Sequence, residues 1–414
     1  MKKKLIAAVL AAVTVLLMLA SCAGAGSDTG AVTLYVYNWG EYISDGSEDS
    51  LNVNKAFEEY CSNSEKIQAL TGGKKVKVNY STYASNEDLY AKLESRTVSY
   101  DVVVPSDYMI ARLIKEKLIQ KIDVSKIENY GNIDDKFKNL YFDENNEYCV
   151  PYTYGTVGII YNSKQVDEAD VEAQSWALMW NEKYEGNILQ FNNPRDAFST
   201  AQFYQGTDVN SADEKTWRDA AELLKKQKSI VQGYVMDEVF NKMKSGSALI
   251  APYYAGDFLT MYEDNEDLAF YYPKEGTNVF VDAMCVPANA KSPELAAEYI
   301  NFMLSEEIAI ANAEAICYAS PNKLVYENED YKADMAEIHE DVMDILYGYN
   351  DENMKYFHDL PDDTRKLMND LWEDLKIDSG RSYVIYIVFG LIAAAVIAIV
   401  IIMIVRKKKK ALEY

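Results

Sequence analysis

Histidine is nearly missing from this 414-residue sequence, which has only His339 and His358, and cysteine is scarce, with five residues. Once Cys22 is set aside, Cys61, Cys149, Cys285 and Cys317 are scattered without the close spacing of metal ligands, which argues against a Cys/His metal site. No nucleophile elbow, P-loop or dinucleotide fingerprint is present, so nothing points to a nucleophile or a bound cofactor. Positive charge is short as well: 41 Lys and Arg stand against 65 Asp and Glu, a net charge of −24. Residues 1–21 carry +3 and residues 406–414 carry +4, which leaves −31 between them. Such a surface repels nucleic acid and anionic lipid and attracts cations. Acidity is also a common solubility device, so the sign alone does not choose a ligand. The chain reads as a binder rather than a catalyst.

The two ends bound the rest. MKKK, an apolar run from Leu5 to Leu19, then Ala20, Ser21 and Cys22 form the charged, apolar and small-residue parts of an export signal. Tyr383 to Val405 is an uncharged apolar run long enough to cross a bilayer, followed at once by Arg406 and Lys407 to Lys410. Cations beside a span stay cytoplasmic, so the expectation is a membrane-tethered protein whose body, and hence its function, lies outside the cell membrane, in the periplasmic space of a diderm.

The body of about 350 residues exceeds one ordinary core and suggests two lobes. Strands are expected at Val32 to Val36, Lys74 to Tyr80, Tyr100 to Val104 and Val281 to Pro287. Helices are expected after Ser85-Asn86-Glu87-Asp88, after Pro105-Ser106 with Ile110, Leu113 and Leu118 inward, and at Ser292-Pro293-Glu294. Strand and helix alternate, which predicts α/β lobes with mainly parallel sheets. Asp45 to Gly73 is polar at its start and helical around Val53 to Tyr60, and no internal repeat is found.

In open α/β sheets ligands sit beyond the carboxyl ends of strands. The stretch LYVYNWGEYIS puts Trp39, Glu41 and Tyr42 there, the next strand is followed by Ser106, Asp107 and Tyr108, and Phe280 and Asp282 share one strand face. Carboxylates interleaved with rings suit a long organic cation: ring faces cover methylenes and attract ammonium groups, and carboxylates take the charged ends. A sugar site would draw more on Asn, Gln and Arg, and an anion site would need Arg, Lys or a helix N-terminus.

The blocks YNWGEY (Tyr37 to Tyr42), YSTYASNEDLYAKL (Tyr80 to Leu93), YDVVVPSDYMI (Tyr100 to Ile110), PYTYGTVGIIYN (Pro151 to Asn162), SWALMWNEKYEGNI (Ser175 to Ile188), YPKEG (Tyr272 to Gly276) and CVPANAKSPELAAEYINFML (Cys285 to Leu304) resemble the spermidine/putrescine-binding proteins of ABC transporters. The resemblance runs in order from about Val32 to Lys376. Leu19-Ala20-Ser21-Cys22 likewise resembles a bacterial lipobox, whose cysteine becomes the lipid-modified first residue; an ordinary signal peptide with an incidental cysteine is the alternative.

The resemblance implies a bilobed, type II periplasmic-binding-protein fold of the α/β class, with lobe 1 from 32–154 and 282–326 and lobe 2 from 155–281 and 327–376; the C-terminal transmembrane helix expected at 383–405 from its apolar run, like the insertion around Asp45 to Ser64, is unlike the usual member. It implies a polyamine ligand, spermidine or putrescine, with a separate permease and ATPase as partners and no cofactor. Trp39 and Tyr42 match the family's first aromatic pair, Ser106 and Tyr108 its PS-x-Y loop, and Asp282 the carboxylate that holds an amine, with Phe280 in place of a tryptophan. Tyr318 matches a tyrosine beside the ligand. Asn193 and Asp196 align with two acidic positions, Tyr254 with a tryptophan, Asp257 with an aspartate of the putrescine-preferring branch and His358 with a glutamine of the spermidine branch. Asp107 has no matched role. A surface sensor or adhesin that reads polyamine without transport is the alternative function.

Overall fold

Strand β1 spans Val32–Trp39, three residues past the end expected from its alternation, so that Trp39 is its last residue rather than part of the following bend. The computed structural model describes residues 30–47, 49–348 and 353–377. The export signal, Cys22 and the apolar run 383–405 therefore lie outside the described residues. Among the described residues no helix is long and apolar enough to cross a membrane.

The remaining strands are β2 (Val76–Tyr83), β3 (Val102–Val103), β4 (Cys149–Asn162), β5 (Ile188–Phe191), β6 (Val231–Val235), β7 (Ile250–Tyr254), β8 (Leu268–Tyr271), β9 (Thr277–Cys285) and β10 (Met354–Lys355). They join in one sheet of order β2-β1-β3-β9-β4-β7-β5-β6, with β10 on β9 and β8 on β4. At one end β1 pairs in parallel with β2 and β3, and at the other β5 pairs in parallel with β6 and β7. The centre departs from the parallel expectation: β4 is antiparallel to β9, β7 and β8, and β9 is antiparallel to β3.

The centre differs because β4 and β9 are long and buried along their length. Cys149 to Thr156 of β4 pairs with β9, while Val157 to Tyr161 pairs with β7. The two strands thus link the parallel groups, β9 through β3 on one side and β4 through β7 on the other. Pro151 sits inside β4 at a register shift between Pro151 and Thr153, the kind of position where a central strand tolerates a residue without an N–H.

Helix starts follow local chemistry. Ser85 caps the helix Asn86–Ser95 by accepting from Asp88 N at 3.1 Å, and Asn193 caps Pro194–Gln205, with Pro194 at its first turn, by accepting from Asp196 N at 2.8 Å. The helix after Pro105-Ser106 ends at Lys115, so Leu118 packs from the loop beyond it. A large core surrounds the sheet, and a second cluster joins Phe198, Trp217, Leu371 and Leu375, which docks the helix Asp362–Ile377 against Glu214–Gln227. Burying each of these side chains is worth about 1.5–3 kcal/mol.

Candidate functional site

A cavity of about 770 Å³, part of it open to solvent, lies where the two parallel groups face each other. Its floor and walls are the ends of β1, β7 and β9 and the starts of the helices Asn86–Ser95, Asp107–Lys115, Pro194–Gln205 and Ala255–Asp264. Eleven of the twelve ligand residues expected from sequence line it: Trp39, Tyr42, Ser106, Tyr108, Asn193, Asp196, Tyr254, Asp257, Phe280, Asp282 and Tyr318. His358 does not. It is exposed and stacks on Tyr141 at 4.4 Å, while the preceding Phe357 faces the cavity.

The bend after β1 is fixed by Asn38, whose side chain accepts from Trp39 N at 2.8 Å and donates to the Tyr42 carbonyl at 3.3 Å. Glu41 takes a left-handed conformation (φ 48°), which turns the chain sharply between the two rings. The Trp39 indole donates to the Val104 carbonyl at 2.9 Å, holding one edge of its ring away from the cavity's polar groups. At Gly40 a Cβ would stand 2.4 Å from Asp237 Oδ2, on the opposite parallel group, so any larger residue would push the Asp237 carboxylate aside.

Asp282 sits at the centre. Tyr42 Oη donates to its Oδ2 at 2.7 Å, and Tyr42 also bonds Thr153. Burial pushes the Asp282 carboxyl up to about 7, while the hydroxyls of Ser106 and Tyr42 draw it down. Ser106 is itself gripped by Asn86, which accepts from its N at 3.2 Å and donates to its Oγ at 3.1 Å.

The two sides of the cavity hold different acids. On one side lie Glu87, Asp107 and Asp196, each raised chiefly by burial and each lowered in part by the buried Arg195 guanidinium. Asp196 accepts from Asn193 Nδ2 at 2.8 Å and from Tyr254 Oη at 3.0 Å, and Glu87 accepts from Tyr108 Oη at 3.1 Å. On the other side lie Glu41, Asp237 and Asp257. Burial, then Glu41, raises Asp237; burial, then Asp237 and Glu41, raises Asp257, while the Tyr318 hydroxyl pulls Asp257 back.

Among the described residues, seven carboxyl groups and nine aromatic rings line the cavity, and neither lysine nor arginine does. Three buried acceptors of lining residues, Asp107 Oδ2, Asn278 Oδ1 and Asp282 Oδ1, have no hydrogen-bond partner among the described residues. Acceptors buried in this way cost free energy until a donor reaches them. The arrangement therefore fits a guest that is positively charged, rich in N–H donors and apolar between its charges. Among the described residues no group of His, Cys, Asp and Glu is placed to hold a metal ion.

Sequence reasoning left out several lining groups. Asp107, a strand-end carboxylate with no matched role in the family, is 1 % exposed at the cavity wall, and its Oδ2 has no partner among the described residues. Glu87 served as a helix-start acid, and Asp237, Phe240, Tyr253 and Met236 had no signal beyond lying near the ends of β6 and β7.

A family profile described as bacterial extracellular solute-binding protein matches residues 63–338. A spermidine/putrescine-binding periplasmic protein of Salmonella typhimurium is 35% identical over 291 residues, covering 70% of this chain and 78% of its own length. Among solved structures, a Listeria monocytogenes protein named for spermidine/putrescine ABC transport is 30% identical with a TM-score of 0.72, covering 83% of this chain and 98% of its own. A spermidine/putrescine ABC transporter substrate-binding protein of Streptococcus pneumoniae is also 30% identical, with a TM-score of 0.63 over 83% and 98% of the two chains.

Proposed function

Because the chain belongs to the bacterial extracellular solute-binding proteins, we propose that it is a polyamine receptor that captures spermidine or putrescine outside the cell membrane and delivers it to an ABC importer. The observation that carries this reading is the cavity itself: seven carboxyls and nine rings, no lining cation, and three buried acceptors in want of donors. A polyamine supplies ammonium donors at both ends and methylenes between them. The names of the relatives carry the same ligand class and an ABC transporter, which supports delivery to a separate permease and ATPase as the partners of this reading. The protein binds its ligand without chemical change.

In this reading 32–154 with 282–326 forms one lobe and 155–281 with 327–376 the other, and they close on the ligand about β4 and β9. The lipobox-like Leu19-Ala20-Ser21-Cys22 and the apolar 383–405 segment, both read from sequence, anchor the body to the outer face of the membrane. Calorimetry of the full chain in detergent against putrescine, spermidine and spermine tests the proposal. One-to-one saturable binding of at least one, with no heat from glucose or glutamate, is expected. Binding of an anion or a sugar in preference to every polyamine would overturn it.

A further inference from the structure

Four cysteines, Cys61, Cys149, Cys285 and Cys317, are buried thiols, but they are not placed alike. Cys149 opens β4 and Cys285 closes β9, and the antiparallel register sets them directly opposite each other. Direct partners in an antiparallel pair have Cα atoms about 4.5–5.5 Å apart, inside the range that a disulfide spans. The Cys149 thiol donates to Asp143 Oδ2 at 3.4 Å and the Cys285 thiol to the Ala283 carbonyl at 3.6 Å, so both sulfurs are held at this point of the sheet. Cys61 lies in the helix Val53–Asn63 and Cys317 at the end of Glu306–Ile316, each remote from this pair in the fold.

We propose that Cys149 and Cys285 are a dithiol that closes to a cross-strand disulfide once the chain has left the reducing cytoplasm. The proposal rests on the extracellular assignment, because disulfides persist in that compartment. An external disulfide, either small or carried by a thiol oxidoreductase, is the oxidant. The thiolate of one cysteine attacks it, one thiol departs, and a mixed disulfide remains; the second cysteine then displaces the other thiol. Two electrons and two protons leave the pair, and the external disulfide takes up both to become two thiols.

Cys285 is fully buried and Cys149 nearly so, and Asp143 disfavours the Cys149 thiolate, so exchange belongs to the stage before β9 docks beside β4. The bond would link segments far apart in sequence, and closing so long a loop restricts the unfolded chain strongly. It would join β9 to β4 next to β3, within the half of the sheet that contains β1 and β2, and leave the β4 to β7 pairing free. Opening of the cavity is therefore unaffected.

The test uses the full chain, extracted from membranes in detergent without reductant, denatured with an alkylating reagent and digested for mass spectrometry. A linked peptide pair containing Cys149 and Cys285 is expected, with Cys61 and Cys317 alkylated. A second portion is refolded in a glutathione couple, where the same pair should link; reduction should then lower Tm by about 5–10 °C. The Cys149→Ser/Cys285→Ser double variant should lose that sensitivity to reductant. Full alkylation of both cysteines in both portions, or glutathione adducts in place of the link, overturns the proposal. Spermidine titration of the same samples separates the two readings: a linked protein that ignores polyamines refutes the proposed ligand alone, and a reduced protein that binds them refutes the disulfide alone.

Discussion

The two sides of the cavity carry three acids each, but only one side has a cation behind it. Glu87, Asp107 and Asp196 share the buried Arg195, which donates to the Val209 carbonyl at 2.9 Å and the Asn210 side chain at 2.7 Å and lies over the Phe357 ring at 4.4 Å. Glu41, Asp237 and Asp257 act on one another by repulsion. The first side is organised before a ligand arrives. The second is held apart from its own charges until an ammonium supplies the missing counter-ion, so binding energy there includes relief of repulsion. A charged guest of two ends would thus meet a structured end and a strained one, with Asp282 between.

The largest expected effect is at Asp282, which serves both sides. Asp282→Asn leaves an ammonium buried without its partner, so affinity for spermidine should fall by about 2–5 kcal/mol, roughly 30-fold to several thousand-fold in calorimetry. An affinity within a few-fold of the parent would remove Asp282 from the site.

Next come substitutions that set the two sides against each other. Asp196→Asn leaves Arg195 short of compensation and should lower the stability of the ligand-free protein by about 1–3 kcal/mol in urea unfolding. Asp257→Asn removes a source of repulsion and should raise it, by about 1 kcal/mol, while weakening polyamine binding. Stability changes of the same sign in the two variants would abolish the distinction. Asp107→Asn should weaken binding by about tenfold, less than Asp282→Asn, because its Oδ1 already accepts from Tyr108 N at 2.6 Å and only Oδ2 awaits a donor. An unchanged affinity would return Asp107 to a purely structural role.

The smallest effect is one of pH. The Asp282 carboxyl titrates near 7 in the folded protein and near 3.9 when unfolded, so the folded state holds the extra proton between those values. Ligand-free stability contributed by this group is full below about pH 4 and is lost as pH rises through about 7. Polyamine needs the ionised form, so affinity should move the other way, rising from pH 6 to pH 8 with proton release on binding near pH 7. Calorimetry in buffers of different ionisation enthalpy reads that proton directly.

Much of this site was legible because its rings and acids follow strand ends, where the backbone stops pairing and points side chains into the gap. Trp39, Tyr42, Phe280 and Asp282 needed only the strand period and the resemblance. His358 failed by one position: along extended backbone neighbours face opposite ways, so Phe357 points inward and His358 outward against Tyr141. Asp237 was invisible because it lies just beyond β6 and meets Gly40 and Glu41 only in the fold, a contact between residues with no sequence relation. The antiparallel centre was missed for a similar reason. β4 reads as a continuous apolar run, which suits a buried strand of either direction, and its partners are fixed by chain segments more remote than any local pattern reaches. The expected strand Tyr100 to Val104 shrinks to Val102–Val103 because only those residues meet β1 and β9 in register.

Strand β9 also governs when the protein can exist at all. It lies between β3 and β4, so the half of the sheet built first in sequence has an empty slot until residue 285 is in place, and the helix Asp362–Ile377 must follow before Trp217 is covered. A chain threaded outward from its N-terminus remains an unfinished, non-local structure through most of its translocation. Assembly of the receptor therefore waits for the last part of its body to emerge, and any pause in export would leave strand edges exposed outside the cell.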